Sequence, residues 1–480
     1  MKILFVHEDF AVTYPQGMAY LSGALKEAGH ETRLEFARHR DFLERVSKFR
    51  PDVLAYSVMT GVHTYYLDVN LRVKRELPEL KAVSVFGGPH ATFAPGLIER
   101  EGVDAVCVGE GENSFREFVD CLADGKDYTA VAGFHVRTKD GIVRNEPAPL
   151  VSDLDSLAQP DYNLFFDADP LAGRMIPKVF MPFRGCPFPC AFCFNHKARQ
   201  LYAGKGRWIR AHSVEYILKA IEDVRERHAV PFVRFDSDNF LLFPEWLEEF
   251  AEKYPQRVGV PFEVHLRLDE VDEKKADLLV RAGCRKVEVG VEAGSDRVRM
   301  ELMNRKMDKD TILRGCRILN DRGFALVCNN IIGSPSETFT EALETARLNA
   351  DARPSYAAGY LYTPLPGTSM AEFAVEQRYF DGDFDKVGFA GFYGSSVLRY
   401  DDPMEKRRLE NLQKLLGISV AFPVLIKALP FLTGLPLSPI YGFIHLLWWG
   451  LVVRFRVRSC PVQIRLLPQM IFRFFSRFGY

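Results

Sequence analysis

The stretch RGCPFPCAFCFNH, Arg184 to His196, places three of the chain's nine cysteines within eight positions. Thiolates are soft ligands that suit zinc or an iron–sulfur cluster. Cys186, Cys190 and Cys193 stand as C-x3-C-x2-C, and a structural zinc site would require one more ligand. His196, three residues beyond Cys193, has a permitted spacing. Structural zinc loops more often pair cysteines in two separated knuckles, however, and no second knuckle is present. Three thiolates with one position left open would suit catalysis instead.

The elements that must position this loop alternate in type. From Lys178 to Gly367 the runs KVFMPFR, PFVRFDS, PFEVHLR, KVEVGVE, FALVCNNIIG and YAAGYLYTP read as strands. Helical patterns over 214–227, 244–252, 273–282, 311–322 and 337–350 fill the gaps. Six strand–helix repeats predict a partial (β/α)6 barrel of the TIM type, with its site at the strand C-terminal ends. The cysteine loop directly follows the first of these strands. Asp236, Asp238, Arg267, Glu292 and Gly333 fall at the ends of later ones.

The first 125 residues alternate in the same way, with strands in KILFV, TRLEF, DVLAYSV, AVSVFGG and DAVCVG and helices over 17–28, 65–76 and 114–123. This pattern predicts an α/β domain with a doubly wound parallel sheet, whose ligands sit at the strand C-terminal ends. His7, Ser57, Gly87-Gly88-Pro89-His90 and Gly109-Glu110-Gly111-Glu112 fall there. A dinucleotide fingerprint is absent, because HEDFAVTYPQG replaces G-x-G-x-x-G after the first strand. The expected division is 1–126, a connector over 127–177 with a hairpin around Asp140-Gly141, a barrel over 178–370, and a mainly helical C-terminal region over 371–480.

A chain of 480 residues with net charge −1 has no basic excess, which argues against a nucleic-acid partner. Its N-terminus reads as a first strand without a signal-peptide cleavage pattern, so a cytoplasmic location is expected. Cys107, Cys121, Cys284, Cys316, Cys328 and Cys460 are scattered singly, as buried reduced thiols would be. The tail departs from this balance. From Asn411 onward there is no Asp or Glu, whereas Lys414, Lys427, Arg454, Arg456, Arg458, Arg465, Arg473 and Arg477 remain. Between Lys427 and Arg454 lies an uncharged apolar run broken by Pro430, Pro436 and Pro439. It leaves about 14 clean residues, short of the ~20 of a spanning helix. Trp448, Trp449 and the flanking arginines predict a segment lying in the membrane interface, peripheral to the inner face. A buried helix with a basic rim would give the same pattern.

The C-x3-C-x2-C loop after a first barrel strand resembles the signature of the radical SAM superfamily. The resemblance implies a [4Fe–4S] cluster on Cys186, Cys190 and Cys193, with the fourth iron free to chelate S-adenosylmethionine and deliver an electron that yields a 5′-deoxyadenosyl radical. It also implies an external one-electron reductant of the flavodoxin or ferredoxin type. Gly290-Val291-Glu292-Ala293-Gly294 is similar to the family's ribose-binding motif, which assigns Glu292 to the adenosyl hydroxyls. Ile331 through Glu337, including Gly333, resembles the segment that packs on adenine. Phe192, Asp236 and Asp238 are the remaining candidates for S-adenosylmethionine binding. Phe235 through Phe240, Met303-Asn304-Arg305 and Thr363 through Thr368 resemble landmarks of the cobalamin-associated branch.

In the first domain, Ser57-Val58-Met59, then 27 intervening residues, then Gly87-Gly88 resembles the spacing of cobalamin-binding domains. This implies cobalamin contacts from Ser57, Met59, Gly87, Gly88, Pro89, His90, Gly109 and Glu110. The D-x-H-x-x-G loop that supplies a cobalt-ligating histidine elsewhere is missing, so His7 and His90 are candidates for contact only. The combination implies methylation of an unactivated carbon, and the basic, apolar tail predicts a hydrophobic or lipid substrate. An oxidative or ring-forming reaction of the magnesium-protoporphyrin ester cyclase type is the alternative, and a non-catalytic metal- and cobalamin-binding sensor a remote one. Tyr360, Tyr362 and Tyr393 could deliver hydrogen atoms or simply pack.

Overall fold

The computed structural model describes residues 1–9, 14–169, 173, 177–388 and 393–457. They divide into two compact units, one from the described residues of Met1–Val179 with Lys197–Ala229, the other from Phe180–His196 with the described residues from Val230 onward.

Seven strands form one sheet in the first unit: β1 (Lys2–His7), β2 (Glu31–Phe36), β3 (Val53–Ser57), β4 (Val83–Gly87), β5 (Ala105–Cys107), β6 (Phe134–Thr138) and β7 (Gly141–Arg144). Their order is β2-β1-β3-β4-β5-β6-β7. The first five are parallel, and the register pairs Ser57 with Gly87 at the ends of β3 and β4. Ile3, Leu4, Phe5 and Val6 are all buried, as expected of a strand covered on both faces. The hairpin expected around Asp140-Gly141 forms, with Thr138 opposite Gly141, and β6 joins β5 antiparallel. It therefore continues the sheet. A helix over Phe42–Phe49, absent from the expected set, buries Phe42, Val46 and Phe49 on one face.

The second sheet contains β8 (Lys178–Phe180), β9 (Val233–Phe235), β10 (Phe262–Leu266), β11 (Cys284–Glu292), β12 (Ala325–Ile332) and β13 (Tyr356–Leu361) in sequential order. The pairs from β9 to β13 are parallel, so the expected six-stranded barrel-type sheet is present. Helices over Pro244–Arg257, Glu273–Ala282, Lys309–Asp321 and Phe339–Ala352 return the chain between strands. Asp272, Asp308 and Thr338 cap the last three by accepting backbone N–H groups. The helix Val214–Arg225, which precedes β9, packs within the first unit, where Tyr216 Oη donates to Ala158 O at 3.1 Å.

Between the strands of the second sheet lies a charged network. Lys286 Nζ stands 2.9 Å from Glu263 and 2.6 Å from Glu288. His265 Nε2 is 3.4 Å from Glu288, and Arg234 reaches His265 and Glu263. Burial would raise the Glu288 carboxyl, but His265, Lys286 and Arg234 hold it well below the usual range.

After the barrel, the helix Pro403–Ala421 buries Leu409, Leu412, Leu416 and Val420 against Ile332, Phe339, Ala342 and Ala357. The apolar tail forms a longer helix than the prolines suggest. Ser438–Val457 is 20 residues, long and apolar enough by length and composition to cross a membrane. Tyr441 and Val452 are buried, whereas Ile440, Phe443, Leu447, Leu451 and Phe455 are exposed. Arg458, Cys460, Arg465, Arg473 and Arg477 lie outside the described residues.

Candidate active site

The cysteine loop is held by residues far from it in sequence. Ala191 N–H donates to Met303 O at 2.8 Å, and Ala191 O accepts from Met370 N–H at 3.0 Å. Asn304 Nδ2 donates to Pro189 O at 2.9 Å. Met370 is placed by Thr368, whose side chain caps the helix Ser369–Glu376. The Met303–Arg305 and Thr363–Thr368 segments are thus braces for the loop, a role that spacing could not reveal.

The three sulfurs have different surroundings. Cys190 Sγ accepts from Arg267 Nη1 at 3.5 Å and from Arg305 Nη1 at 3.8 Å. Asn195 Nδ2 donates to Cys193 Sγ at 3.5 Å and to Asp238 Oδ1 at 2.8 Å. Burial pushes the thiols of Cys186 and Cys193 up to about 11 and about 12. A metal would have to displace those protons. Ser369 Oγ is 2.8 Å from His196 Nε2, so the histidine turns to this helix. Among the described residues no three His, Cys, Asp or Glu side chains converge where one ion could sit. A cluster in which each cysteine takes a different iron does not require the sulfurs to meet at a point.

Glu292 ends β11 in a left-handed conformation, φ 67°, just after a shift in the β11–β12 register. Its carboxylate folds back over Gly290, where a β-carbon would overlap it. This explains why glycine stands two residues before the glutamate. Burial raises the Glu292 carboxyl, while Arg305 and Arg267 pull it down. Neither oxygen hydrogen-bonds to a described residue, leaving both available as acceptors.

Gly333, φ 75°, follows β12. Its N–H and that of Ser334 both donate to Glu337 Oε2, at 2.7 and 2.9 Å, and its carbonyl accepts from Tyr400 Oη at 3.2 Å. Burial pushes the Glu337 carboxyl up to about 8 against the pull of those N–H groups. Phe192 is half-buried beside Met303 and Met370, and Asp236 is exposed with its N–H donating to Phe180 O at 2.8 Å. Tyr360 and Tyr393 meet edge to face, 5.6 Å between centroids, and Tyr362 is buried.

In the first unit the candidate cobalamin residues gather at the ends of β3, β4 and β5. Gly88 has φ 91°, and a β-carbon there would stand 3.0 Å from Ser57 Oγ and from Val58 N and O. His90 N–H donates to Val58 O at 3.0 Å, which links the Ser57 and Pro89 turns. His90 Nδ1 lies 2.9 Å from Thr60 Oγ1, and its ring stacks on His63 at 3.8 Å. His7 Nδ1 lies 2.8 Å from Asp9 O. Met59 is exposed. Gly109 N–H donates to Thr92 Oγ1 at 3.0 Å, and the Glu110 carboxylate pairs with Arg210. Ser57, Gly87, Gly88 and Gly109 place nothing larger than a hydroxymethyl group at three adjacent strand ends.

A sequence model of the radical SAM superfamily matches residues 180–348, and one of the B12-binding domain matches residues 5–119. An uncharacterized methyltransferase of Pyrococcus horikoshii is 30% identical over 371 residues, 75% of this chain and 78% of its own. The chain belongs to the radical SAM superfamily and carries a B12-binding domain. The anaerobic magnesium-protoporphyrin IX monomethyl ester cyclase of Rubrivivax gelatinosus is 27% identical over 416 residues, 81% of this chain and 72% of that one. Solved structures share the fold at low identity. The radical S-adenosylmethionine methyltransferase TsrM of Kitasatospora setae, with cobalamin and a [4Fe–4S] cluster bound, superposes with TM-score 0.65 at 19% identity over 84% of this chain and 78% of its own. The cobalamin-dependent radical enzyme OxsB gives 0.68 at 16% identity, over 99% and 75%.

This radical SAM enzyme is therefore of the cobalamin-dependent kind, with a [4Fe–4S] cluster, S-adenosylmethionine and cobalamin as its cofactors. The residues present fit them. Three thiols share one loop, neither Glu292 oxygen accepts a hydrogen bond from a described residue, and Ser57, Gly87, Gly88 and Gly109 keep the side chains at the first unit's strand ends small. Residue patterns alone missed Asn195 at Cys193, and Tyr202 and Arg210 at Glu110. Asn195 has a weak signal in its position two residues after a cysteine. Tyr202 and Arg210 have none, because they reach Glu110 from about a hundred residues away.

Proposed function

We propose that the enzyme methylates an unactivated carbon of a hydrophobic substrate. In this reading Cys186, Cys190 and Cys193 hold three irons of the cluster. Phe192, Asp236, Asp238, Glu292 and Gly333 line the S-adenosylmethionine site. Ser57, Met59, Gly87, Gly88, Pro89, His90, Gly109 and Glu110 lie along the cobalamin site. When bound, the cluster supplies the electron that cleaves S-adenosylmethionine, and cobalamin carries the methyl group.

The protein's part is placement. The observation that carries the reading is the folded-back Glu292. Gly290 leaves room for a carboxylate whose two oxygens can accept from paired ribose hydroxyls, in the same sheet as the three-cysteine loop. Glu337 and Tyr400 fix both sides of the Gly333 peptide, so an adenine edge would meet a rigid backbone.

The hydrophobic substrate and the membrane contact rest on the tail. Ile440, Phe443, Leu447, Leu451 and Phe455 recur at intervals of three or four, forming one exposed apolar stripe. Tyr441 packs with Leu409, Leu412 and Leu416, and Trp448 and Val452 pack with Val327 and Tyr356. A helix with one face on protein and the other bare suits lying in an interface better than spanning it. Missing acids from Asn411 onward favour an anionic surface.

Anaerobic reconstitution with iron, sulfide and cobalamin tests the activity, using lipid extracts and a flavodoxin-type reductant. Expected products are 5′-deoxyadenosine, S-adenosylhomocysteine and a lipid heavier by one CH2. The resemblance to the ester cyclase over 81% of the chain favours a second reading, in which the product gains oxygen or loses hydrogen instead. A purified enzyme that forms no 5′-deoxyadenosine with S-adenosylmethionine and reductant would refute both.

A further inference from the structure

The Cys190 sulfur meets two guanidinium groups. Arg267 donates from the end of β10 and Arg305 from the loop after β11. Both arginines are about 5% exposed. Arg267 is anchored on three sides: Nε and Nη2 donate to the two Asp269 oxygens at 3.0 and 2.8 Å, and its guanidinium lies 3.5 Å from the Phe188 ring centroid. Arg305 is anchored by Nη2 donating to Gly290 O at 2.7 Å. The charges differ in compensation. Asp269 neutralises Arg267, whereas the acid facing Arg305 is Glu292, whose carboxyl burial already raises.

We propose that Arg305 and Arg267 are positioning residues that set the reduction potential of the cluster through Cys190. The inference rests on the reading of Cys190 as a cluster ligand. A thiolate-bound cluster becomes one charge more negative on reduction. Hydrogen bonds to its sulfurs and nearby positive charge stabilise that state and raise the potential. Two donors on one sulfur, in a site shielded from water, concentrate the effect at one of the three thiolates. Arg305, whose facing acid Glu292 makes no hydrogen bond to it, contributes more than Arg267, which Asp269 holds through two. The arrangement eases entry of an electron from a weak biological donor into a cluster that must then reduce a sulfonium.

The test uses the whole 480-residue chain, reconstituted anaerobically with iron and sulfide and titrated without S-adenosylmethionine. Iron per chain and the midpoint potential from EPR-monitored titration are read for the wild type and for Arg305→Met, Arg305→Lys and Arg267→Met. With wild-type iron content, Arg305→Met is expected to shift the reduced-to-oxidised ratio at fixed potential at least tenfold toward the oxidised state. That is a fall of about 59 mV for one electron. Arg267→Met should give a smaller fall, and Arg305→Lys, which keeps the charge but loses the fork, an intermediate one. Midpoints within error of wild type in Arg305→Met and Arg267→Met, with iron retained, overturn the proposal and leave the cysteine assignment standing. Cys190→Ala with a full iron complement overturns the cysteine assignment itself. If Arg305→Met does not take up iron, Arg305→Lys and Arg267→Met decide the question.

Discussion

Glu110 N–H donates to Tyr202 Oη at 2.6 Å, and that oxygen occupies the space a β-carbon on Gly109 would need. A loop of the B12-binding domain is thus closed by a residue that follows the cysteine loop in sequence. Gly109→Ala would force a side chain onto φ 91°, costing about 1–2 kcal/mol, and would also displace Tyr202. Tyr202→Ala leaves the Glu110 N–H without its partner, a loss of about 1–3 kcal/mol. The double variant removes the clash and should cost less than the sum. Urea unfolding of the four proteins reads this coupling, and strict additivity would show that the contact carries no energy.

Replacing Cys186, Cys190 or Cys193 with alanine should reduce bound iron to background and abolish 5′-deoxyadenosine formation. His196→Ala should retain wild-type iron, because its imidazole is turned to Ser369. Iron and acid-labile sulfide assays decide. Loss of iron in His196→Ala would restore the histidine as a ligand.

Glu337 gives a stability slope of definite sign. Its folded-state value is pushed up to about 8 by burial, against an ordinary 4.5. The folded chain therefore holds this proton more tightly than the unfolded one. The contribution is full below about pH 4.5 and is lost as pH rises through about 8. Glu337→Gln keeps an acceptor for the Gly333 and Ser334 N–H groups without the charge. Its melting temperature should gain on the wild type as pH rises from 6 to 8.5. Parallel melting curves across that range would count against a protonated Glu337.

Glu288 should behave in the opposite way on substitution. Glu288→Gln leaves Lys286 with Glu263 alone and unbalances Arg234 and His265. Breaking a buried pair in this manner costs about 3–5 kcal/mol. The Lys286→Met/Glu288→Leu double variant should recover a large part of that, since neither leaves a lone buried charge at the pair. Differential scanning calorimetry separates the cases, and a double variant no more stable than Glu288→Gln would place the cost in packing instead.

Much of this was legible from residue order. The C-x3-C-x2-C loop, the six strand–helix repeats and the small residues after β3 and β4 are local patterns, and periodicity reports local patterns well. The helix over Phe42–Phe49 was less visible, because charged residues interrupt its apolar positions and its length is near the lower limit of periodicity. The tail misled in a different way. Pro436 and Pro439 fall before or within the first turn of the helix, where proline is tolerated, and Ser438–Val457 runs on unbroken.

The sequence by itself determined which residues could act: three thiols, a glutamate two residues after a glycine, and small residues at strand ends. Only the tertiary structure decided what surrounds them. Met303, Asn304 and Met370 brace the cysteine loop, Arg267 and Arg305 meet at Cys190, and Tyr400 pins Gly333. The reason is physical. Ligand type and spacing are properties of a short segment. A sulfur's hydrogen bonds and a carboxyl's proton affinity depend on chains that are distant in sequence and meet only when the sheet closes.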